Sequence, residues 1–383
     1  MNTKIVETID KTDKYIMKSY GRLPLVIEDG NQVIDFGSGI GTNSLGFCNS
    51  DWVEAVCSQT KTLQHTSNYY YNKPSADFAE KLCGITGYSN VFMCNSGAEA
   101  NECSIKLARK YSYDKYGINR NKIVTLINSF HGRTLATLSA TGQEEMHKYF
   151  FPFMEGFIHI EANNAVALAE ALGNDVCAVM IEYVQGEGGV NPLEQSFIDL
   201  IYVLCAEKDI LIIADEVQTG AGRTGKFLAG EKYGYRADIT TMAKGLFGGL
   251  PGGVCLANEK CSNVLTAGTH GSTYGGNPVV MAGGSVVLDK VSDTDFLDEV
   301  IKKGDYIKEK LLQLDEVVSI DGSGLMLGVT LKSKTAVDVM KSALEKRLLV
   351  LTAKEKLRLL PPLNISYDAL DKGLEILLKI LSA

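Results

Sequence analysis

Lys244 is an isolated charge in an apolar, glycine-rich stretch, ITTMAKGLFGGLPGG, at residues 239–253. The nearest charged residues along the chain are Asp238 and Glu259. A lysine in such surroundings either extends its amine to solvent or is held inside the protein. Burial lowers the pKa of a lysine amine, because the charged form loses its hydration, and the neutral amine is a nucleophile. The stretch therefore offers an amine for covalent chemistry.

Asp215 and Glu216 follow an apolar run, ILIIA at 210–214, which is typical of a strand buried on both faces. Because burial of an isolated carboxylate costs several kcal/mol, an inward-pointing Asp215 needs a cationic partner. The alternative is a solvated pair of acids at the edge of the sheet. Lys244 follows the next predicted strand, which favours the inward orientation.

A helix is predicted to begin near Gly97 in the stretch CNSGAEANECSIKLARKY, residues 94–111. Ser96 and Glu99 have the spacing of a capping box, and good helix formers follow them. The free N–H groups and the dipole of a helix start favour an anion such as phosphate. The dipole alone contributes only about 0.3–1 kcal/mol, so a capped helix without a ligand is the alternative.

The amine, the carboxylate and the helix start together match the chemical needs of pyridoxal 5′-phosphate (PLP). This cofactor has an aldehyde that reacts with an amine, a pyridine nitrogen that a carboxylate keeps protonated, and a phosphate that needs N–H donors. We expect Lys244, Asp215 and the helix start at Gly97 to supply the three partners. The protonated ring can then accept electrons when a substrate Cα–H bond breaks.

A second enzyme class is indicated by GAGRTG at 220–225, which is a literal G-x-G-x-x-G followed by Asp238 at about the spacing of a ribose-binding acid. In the dinucleotide fingerprint the first glycine closes the strand, whereas DEVQT here separates Ala214 from Gly220. No long helix is predicted after Gly225. We interpret the match as coincidental, and a nicotinamide-dependent oxidoreductase is the alternative class.

The composition is that of an acidic globular protein. The 383 residues include 38 Lys and Arg and 46 Asp and Glu, with a formal net charge of −8, so nucleic acid is not an expected partner. Membrane spans and a secretory signal are not expected either, because no stretch is apolar enough. The nine cysteines form no C-x-x-C pair, which favours reduced thiols in the cytoplasm. The five histidines show no metal-ligand spacing, and no metal is expected.

Short apolar runs that predict buried strands alternate with segments of helical spacing. The predicted strands are 90–93, 122–126, 178–181, 210–214 and 238–242, and the predicted helices between them are 98–111, 164–171 and 196–207. This alternation indicates an α/β fold whose largely parallel sheet is covered by helices on both faces. Ligands of such sheets bind beyond the carboxyl ends of the strands, where Lys244 and Asp215 are expected.

Charged helical segments at 293–314 and 335–347, around a short strand near 328–331, predict a smaller C-terminal domain. We expect three parts. They are an N-terminal segment at 1–45 that packs with the small domain, a large cofactor-binding domain at 46–277 and the small domain at 278–383.

Seven motifs spread over nearly the whole chain resemble those of the class III (subgroup II) PLP-dependent aminotransferases. They are NSGAEANE (95–102), SFHGRT (129–134), QGEGGV (185–190), DEVQTGAGRTG (215–225), AKGL (243–246), HGSTYGGNP (270–278) and LRLLPPL (357–363). The resemblance implies fold type I of the PLP-dependent enzymes. In that fold, helices sandwich a mostly parallel seven-stranded sheet, and a smaller α/β domain follows.

The resemblance also assigns cofactor-binding roles to the matching positions. Lys244 would bond to the cofactor and later move a proton, and Asp215 would pair with the pyridine nitrogen. Gly97 and Ala98 would hold the phosphate, Phe130 and Val217 would contact the two ring faces, and Gln218 would reach the phenolic oxygen. Thr273 would contact the phosphate in the neighbouring subunit, which implies a homodimer with shared active sites.

For substrates, the resemblance implies recognition by two arginines. Arg133 would bind the carboxylate of the amine donor, and later the distal carboxylate of 2-oxoglutarate. Arg358 would bind the other carboxylate of 2-oxoglutarate, and Glu187 would pair with Arg358 when no substrate carboxylate is there. Ser272 would lie beside the substrate.

The expected reaction converts N2-acetyl-L-ornithine and 2-oxoglutarate to N-acetyl-L-glutamate 5-semialdehyde and L-glutamate, a step of arginine biosynthesis. The resemblance leaves ornithine, succinylornithine, 4-aminobutyrate and lysine as alternative donors.

Overall fold

The computed structural model describes residues 3–383, which form twelve α-helices, four short 3-10 helices and fifteen strands. The helices are α1 (Thr3–Tyr15), α2 (Ser38–Gly41), α3 (Ser50–Thr62), α4 (Lys73–Thr86), α5 (Gly97–Tyr116), α6 (Leu135–Ala140), α7 (Ala165–Ala171), α8 (Gln195–Lys208), α9 (Pro278–Val291), α10 (Thr294–Leu311), α11 (Ala336–Glu345) and α12 (Tyr367–Ser382). The strands are β1 (Ile34–Asp35), β2 (Asn90–Cys94), β3 (Lys122–Leu126), β4 (Phe157–Ile160), β5 (Val176–Ile181), β6 (Val184–Gln185), β7 (Asn191–Pro192), β8 (Leu211–Asp215), β9 (Ile239–Met242), β10 (Gly253–Ala257), β11 (Val317–Ser323), β12 (Met326–Leu331), β13 (Leu348–Leu349), β14 (Leu351–Ala353) and β15 (Lys356–Leu359).

Seven of these strands form one large sheet in the order β2-β10-β9-β8-β5-β3-β4. Strand β10 is antiparallel to both of its neighbours, and the other pairs are parallel. All residues of β5 and β8 are buried, as their continuous apolar sequences predict. The predicted α/β class with a mostly parallel seven-stranded sheet is confirmed.

Helices cover both faces of the large sheet. Successive side chains of a strand point to opposite faces, so neighbouring residues of one strand pack against different helices. Ala178 of β5 packs in one core with Leu107 of α5. The next residue, Val179, packs in another core with Leu168 of α7 and Ile198 of α8. The burial of both faces leaves the ends of the strands as the place for a polar site.

The parallel register brings the carboxyl ends of β5, β8 and β9 to the same edge. Ile181 of β5 pairs with Ala214 of β8, and Asp215 of β8 pairs with Thr241 of β9. The residues that directly follow these strands are therefore neighbours in space. This edge is where an open α/β sheet binds its ligand.

A smaller antiparallel sheet, in the order β11-β12-β15-β14, follows near the C-terminus. The N-terminal segment joins this part of the chain, because β1 pairs in parallel with β13. Residues 1–2 of the predicted N-terminal segment lie outside the described residues. Helix α9, at the start of the predicted small domain, packs against α3 and α4 of the predicted large domain. The domain limits at 45 and 277 stay predictions. None of the helices within residues 3–383 is both long and apolar enough to cross a membrane.

Candidate active site

A cavity of about 420 Å³ opens at the carboxyl ends of β5, β8 and β9. Its volume lies in the range of small-molecule sites. The cavity is lined by eight of the residues that the sequence predicted for the site, namely Gly97, Ala98, Phe130, Arg133, Asp215, Val217, Gln218 and Lys244. The fold thus brings the amine, the carboxylate and the helix start into one cavity.

Lys244 starts a short 3-10 helix, Lys244–Phe247, and a single residue separates it from the end of β9. Its φ of 43° lies in the left-handed region, which is uncommon for a residue with a side chain and is frequent at functional sites. Burial lowers the pKa of the Lys244 amine, and the Arg358 guanidinium adds to this, although the Glu187 carboxylate acts in the opposite direction. The site therefore favours the neutral, nucleophilic amine.

Asp215 ends β8 with only 3% of its surface exposed. One carboxylate oxygen accepts hydrogen bonds from Asn101 Nδ2 at 2.7 Å and from His131 Nδ1 at 2.8 Å. The other oxygen accepts from the Val217 N–H at 3.0 Å. Thr241 Oγ1 donates to Asn101 Oδ1 at 2.7 Å, so the donor itself is held in place. These bonds fix the direction of the carboxylate in the cavity wall and supply donors that stabilise its charge.

Helix α5 begins at Gly97, as predicted, with the Ser96 side chain accepting from the Glu99 N–H at 3.2 Å. The reciprocal bond of the capping box is shifted by one residue, since Glu99 Oε2 accepts from the Asn95 N–H at 2.5 Å. The first N–H groups of a helix have no intrahelical acceptor, and both Gly97 and Ala98 line the cavity.

Gly97 also lies against Val217 from the β8 side of the cavity. A Cβ atom at position 97 would come within 2.6 Å of Val217 Cγ1. A larger residue would therefore force the Val217 side chain to shift. The helix start that is predicted to hold the phosphate and the side chain that is predicted to contact the ring thus meet at a close contact.

Arg358, Glu187 and Gln218 form a polar cluster beside the cavity. Arg358 Nη1 and Nη2 donate to the two carboxylate oxygens of Glu187 at 2.7 Å and 3.3 Å, and Nη1 also donates to Gln218 Oε1 at 3.2 Å. Burial acts to raise the pKa of Glu187, but Arg358, Lys244 and Gln218 together outweigh this effect, and the pKa lies below its usual value. The predicted pairing of Glu187 with Arg358 is present, and its role in substrate binding stays a prediction.

Arg133 has different surroundings from Arg358, although both were predicted to bind carboxylates. Arg358 is 3% exposed, and its Nε has no hydrogen-bond partner among the described residues. Arg133 is exposed, and its guanidinium lies 5.6 Å from the centre of the Phe130 ring at the cavity wall. One arginine is open to an incoming carboxylate, and the other is covered by an acid.

Ser272 and Thr273 do not reach this cavity within the same chain. They line a separate depression of about 330 Å³ together with Glu99 and His270. Ser272 Oγ accepts from Asn95 Nδ2 at 3.1 Å, and Thr273 is exposed. The predicted contacts of both residues with substrate and cofactor therefore depend on a second copy of the chain and stay predictions.

Three residues of the site were not identified from the sequence, namely Asn101, His131 and Glu182. Each lines the cavity and is at least 95% buried, with exposures of 1%, 1% and 5%. Glu182 follows the fully apolar strand β5 in the same way that Asp215 ends β8, so its position carried a usable signal. Asn101 and His131 lacked such a signal, because the contact of Asn101 with Asp215 depends on how α5 packs on the sheet and that of His131 depends on the path of the loop after β3.

The glycine-rich GAGRTG segment forms a turn and does not open a long helix. Arg223 within it is buried and donates to the carbonyl oxygens of Leu325 and Pro361 at 3.0 Å and 2.6 Å. The Asp238 carboxylate accepts from the Ile212 N–H and from Asn258 Nδ2, both at 2.9 Å. None of these residues lines the cavity, so the segment connects parts of the fold and does not fit a dinucleotide.

The residues of the cavity fit PLP by their chemistry. Lys244 supplies an amine of lowered pKa, Asp215 supplies an oriented carboxylate, and the start of α5 supplies free N–H donors. Among residues 3–383, no group of three or more His, Cys, Asp or Glu side chains is arranged to hold a metal ion.

The chain is similar to known aminotransferases over almost its whole length. A model of the Aminotransferase class-III family matches residues 11–381. The acetylornithine aminotransferase of Haemophilus ducreyi is 48% identical over 380 residues, with 96% of each chain covered. The solved N-acetylornithine aminotransferase of Stenotrophomonas maltophilia has a TM-score of 0.81 and 33% identity, with 91% of this chain and 90% of that chain covered. The ornithine aminotransferase of Toxoplasma gondii, with PLP partially occupying its active site, has a TM-score of 0.93 and 29% identity, covering 98% and 94%.

Proposed function

The chain belongs to the class-III aminotransferases, and on this basis we propose that it transfers the terminal amino group of N2-acetyl-L-ornithine to 2-oxoglutarate. The products are N-acetyl-L-glutamate 5-semialdehyde and L-glutamate, which places the reaction in arginine biosynthesis. The acetylornithine aminotransferase of Haemophilus ducreyi, at 48% identity, supports this choice of donor. The cofactor is PLP, which when bound accepts the electron pair left by the breaking C–H bond of the substrate.

The observation that carries the proposal is the contrast between the open Arg133 and the covered Arg358. An amine donor whose reacting amine is distant from its carboxylate needs one arginine, whereas 2-oxoglutarate needs two. Arg133 binds the single carboxylate of the donor as a bidentate fork. In that step the bonds from Arg358 to Glu187, at 2.7 Å and 3.3 Å, occupy the second arginine. When 2-oxoglutarate enters, its carboxylate replaces Glu187 at Arg358.

The other side chains of the cavity hold and orient the cofactor and move protons. Lys244 Nζ takes a proton from the substrate carbon that bears the reacting amine, because its lowered pKa makes it available as a base. Asp215 holds the proton on the pyridine nitrogen. The N–H groups of Gly97 and Ala98 bind the phosphate. The remaining predicted contacts are those of Phe130 and Val217 with the two ring faces and of Gln218 with the phenolic oxygen.

We also propose a homodimer with shared active sites. Three successive side chains are 94%, 70% and 107% exposed, namely Tyr69, Tyr70 and Tyr71. Asn68 Nδ2 donates to the carbonyl oxygens of Ser272 and Gly275 at 3.1 Å and 2.9 Å, which joins this run to the loop that carries Thr273. An exposed aromatic patch is typical of an interaction surface. A second copy of the chain would cover the tyrosines, and its cavity would then lie next to Thr273 of the first copy.

The location that we propose is the cytoplasm. All nine cysteines are free thiols, and cysteines of cytoplasmic proteins are kept reduced.

A comparison of turnover tests the choice of donor. Acetylornithine, ornithine, succinylornithine, 4-aminobutyrate and lysine are assayed side by side with 2-oxoglutarate, and acetylornithine should give the highest kcat/KM. Ornithine is the second candidate, because the Toxoplasma gondii enzyme has the same fold at a TM-score of 0.93. A preference for 4-aminobutyrate would reject the proposed donor but not the aminotransferase chemistry.

The visible spectrum tests the chemistry itself. The protein with added PLP should absorb in the visible range, and the band should shift when the amine donor is added. The Lys244→Ala protein should lack both the shift and turnover. A requirement for a nicotinamide dinucleotide, with no colour after excess PLP, would instead favour an oxidoreductase.

A further inference from the structure

Glu182 is a buried acid of the cavity for which the proposed reaction has no role. It directly follows β5, and the pairing of Ile181 with Ala214 in the neighbouring strand places it beside Asp215. Its side chain lines the cavity and is 5% exposed. Two carboxyl groups therefore lie side by side at the carboxyl edge of the sheet.

The hydrogen bonds of Glu182 go to two loops that shape the cavity. Glu182 Oε2 accepts from the Phe130 N–H at 2.9 Å, and Oε1 accepts from the Gly186 N–H at 3.4 Å. Phe130 supplies the aromatic wall of the cavity, and Gly186 immediately precedes Glu187. One carboxyl group thus connects the loop after β3 with the turn that carries the partner of Arg358.

The surroundings of the two acids differ in how well they stabilise a negative charge. Asp215 accepts three hydrogen bonds at 2.7 to 3.0 Å, two of them from side chains. Glu182 accepts only two from the backbone, and one of them is long at 3.4 Å. Two adjacent carboxylates that are both buried repel each other, which favours a proton on one of them. The better donors lie at Asp215.

The charges around Glu182 also favour a proton on Glu182 and a negative charge on Asp215. Burial raises the pKa of Glu182 well above its usual value, the adjacent Asp215 raises it further, and Lys244 acts weakly in the opposite direction. His131 donates to the Asp215 carboxylate. No guanidinium or ammonium group donates a hydrogen bond to Glu182 among the described residues.

We propose that Glu182 is a positioning residue that works as an uncharged carboxyl group. It fixes Phe130 and the Gly186 turn at the cavity wall and leaves Asp215 as the single anion for the pyridine nitrogen. The proposal rests on the aminotransferase function proposed above, but not on the identity of the amine donor.

Three substitutions test whether the cavity needs an uncharged acceptor at position 182 or a charged carboxylate. Glu182→Gln keeps one uncharged carbonyl acceptor of the same length for the 2.9 Å bond from the Phe130 N–H and loses only the long bond from the Gly186 N–H, so kcat/KM should stay within about threefold of the wild type. Glu182→Ala removes the acceptor, and Glu182→Asp is too short to reach both loops. Each should lower kcat by about tenfold to a hundredfold, because the ring wall and the Glu187 turn lose their alignment. The pH profile of kcat/KM should be the same for the glutamine variant and the wild type.

A second readout does not depend on turnover. The infrared difference spectrum between the wild-type holoenzyme and Glu182→Gln at neutral pH should contain the C=O stretch of a protonated carboxylic acid. This measurement stays valid even if acetylornithine is not the donor, and so it distinguishes failure of the present proposal from failure of the proposed function.

Glu216→Gln is the matched control. Glu216 is also a buried acid that accepts two backbone N–H bonds, from Ala229 and Gly230 at 3.0 Å and 2.9 Å, but it does not line the cavity. Its substitution should change the melting temperature and leave the kcat of the folded enzyme unchanged.

Three results would overturn the proposal. They are a glutamine variant as impaired as the alanine variant, an alanine variant with wild-type kcat, and an infrared spectrum without the carboxylic acid band.

Discussion

At the scale of single residues, the site works because Lys244 and Asp215 have opposite surroundings. Donors from Asn101, His131 and the Val217 backbone surround the carboxylate at 2.7 to 3.0 Å. The amine has lost hydration, which lowers the pKa of Lys244. The sequence predicted the two residues themselves from their isolation and their places after apolar strands. It could not predict the side-chain donors, because Asn101 reaches Asp215 through the packing of α5 and His131 through the loop after β3.

The Glu187–Arg358 pair leads to a prediction about substrate choice. In Glu187→Gln the amide cannot neutralise Arg358, so a substrate carboxylate meets an uncompensated guanidinium. We expect the KM for 2-oxoglutarate to fall about tenfold, equivalent to about 1.4 kcal/mol. We also expect the half-reaction with a donor that has one carboxylate to slow. Stopped-flow measurement of each half-reaction checks both effects.

Arg358→Lys is the control for the pair, because an ammonium keeps the charge but cannot make the bidentate contact. Its KM for 2-oxoglutarate should rise. If Glu187→Gln also raises that KM, then Glu187 does not compete with the substrate.

At the scale of elements, most strands of the large sheet were predictable from short apolar runs. The runs that predicted β2, β3, β5, β8 and β9 lie within two residues of the observed strands. In β4 the exposed His159 interrupts the apolar run, whereas β10 is apolar and fully buried but follows a run of glycines, which hid its start. Likewise, the spacing of Ser96 and Glu99 predicted where α5 begins, but not that the Glu99 carboxylate would bind the Asn95 N–H.

Substitutions of Ser96 at the start of α5 can distinguish the effect of the helix cap on stability from the effect of the helix start on phosphate binding. Ser96→Ala should lower the free energy of unfolding by about 1 kcal/mol, because the Glu99 N–H loses its acceptor. Ser96→Asp keeps a capping oxygen and should preserve stability, but its charge should repel the phosphate and weaken PLP binding. Thermal melts and PLP titrations measure the two effects. Wild-type PLP affinity in Ser96→Asp would show that the phosphate does not bind at this helix start.

The 3-10 helix Ala229–Tyr233 predicts a pH dependence of stability. Its first N–H groups are bound by Glu216, and burial raises the pKa of Glu216 to about 7 from a usual value of 4.5. Because the folded-state pKa is the higher one, the stabilisation from this group is complete below pH 4.5 and is lost as the pH rises through 7.

Denaturant unfolding of the wild type and of Glu216→Gln across this pH range tests the effect. The difference between the two free energies of unfolding should change steadily from pH 4.5 to 7. A constant difference would mean that Glu216 does not titrate in this window.

At the scale of the whole molecule, the fold class and the family could be predicted because seven motifs in order span the chain. The placement of Ser272 and Thr273 could not, because their loop turns away from the cavity of its own chain and the predicted role needs a second copy. The shared depression with Glu99 and His270 is a property of tertiary packing, which local spacing does not reveal.

The exposed tyrosines predict how assembly affects cofactor binding. Substitution of serine for Tyr69, Tyr70 and Tyr71 together should weaken the dimer, because it removes a large apolar area from the proposed interface. Sedimentation should then detect monomer at micromolar protein, and the affinity for PLP should fall with dissociation. Val166→Ser, at a residue of α7 that is 67% exposed, is the control and should change neither quantity. A triple variant that stays dimeric would place the interface elsewhere.

The two residues of the Glu187–Arg358 pair come from different parts of the fold. Glu187 lies in the turn between β6 and β7, whereas Arg358 lies on β15 of the small sheet, opposite Gly328 of β12. A shift of β15 against this turn therefore changes the distance between acid and guanidinium. Natural selection can in this way retune which substrate the enzyme accepts through mutations in the packing of the small sheet, without altering a residue that touches the substrate.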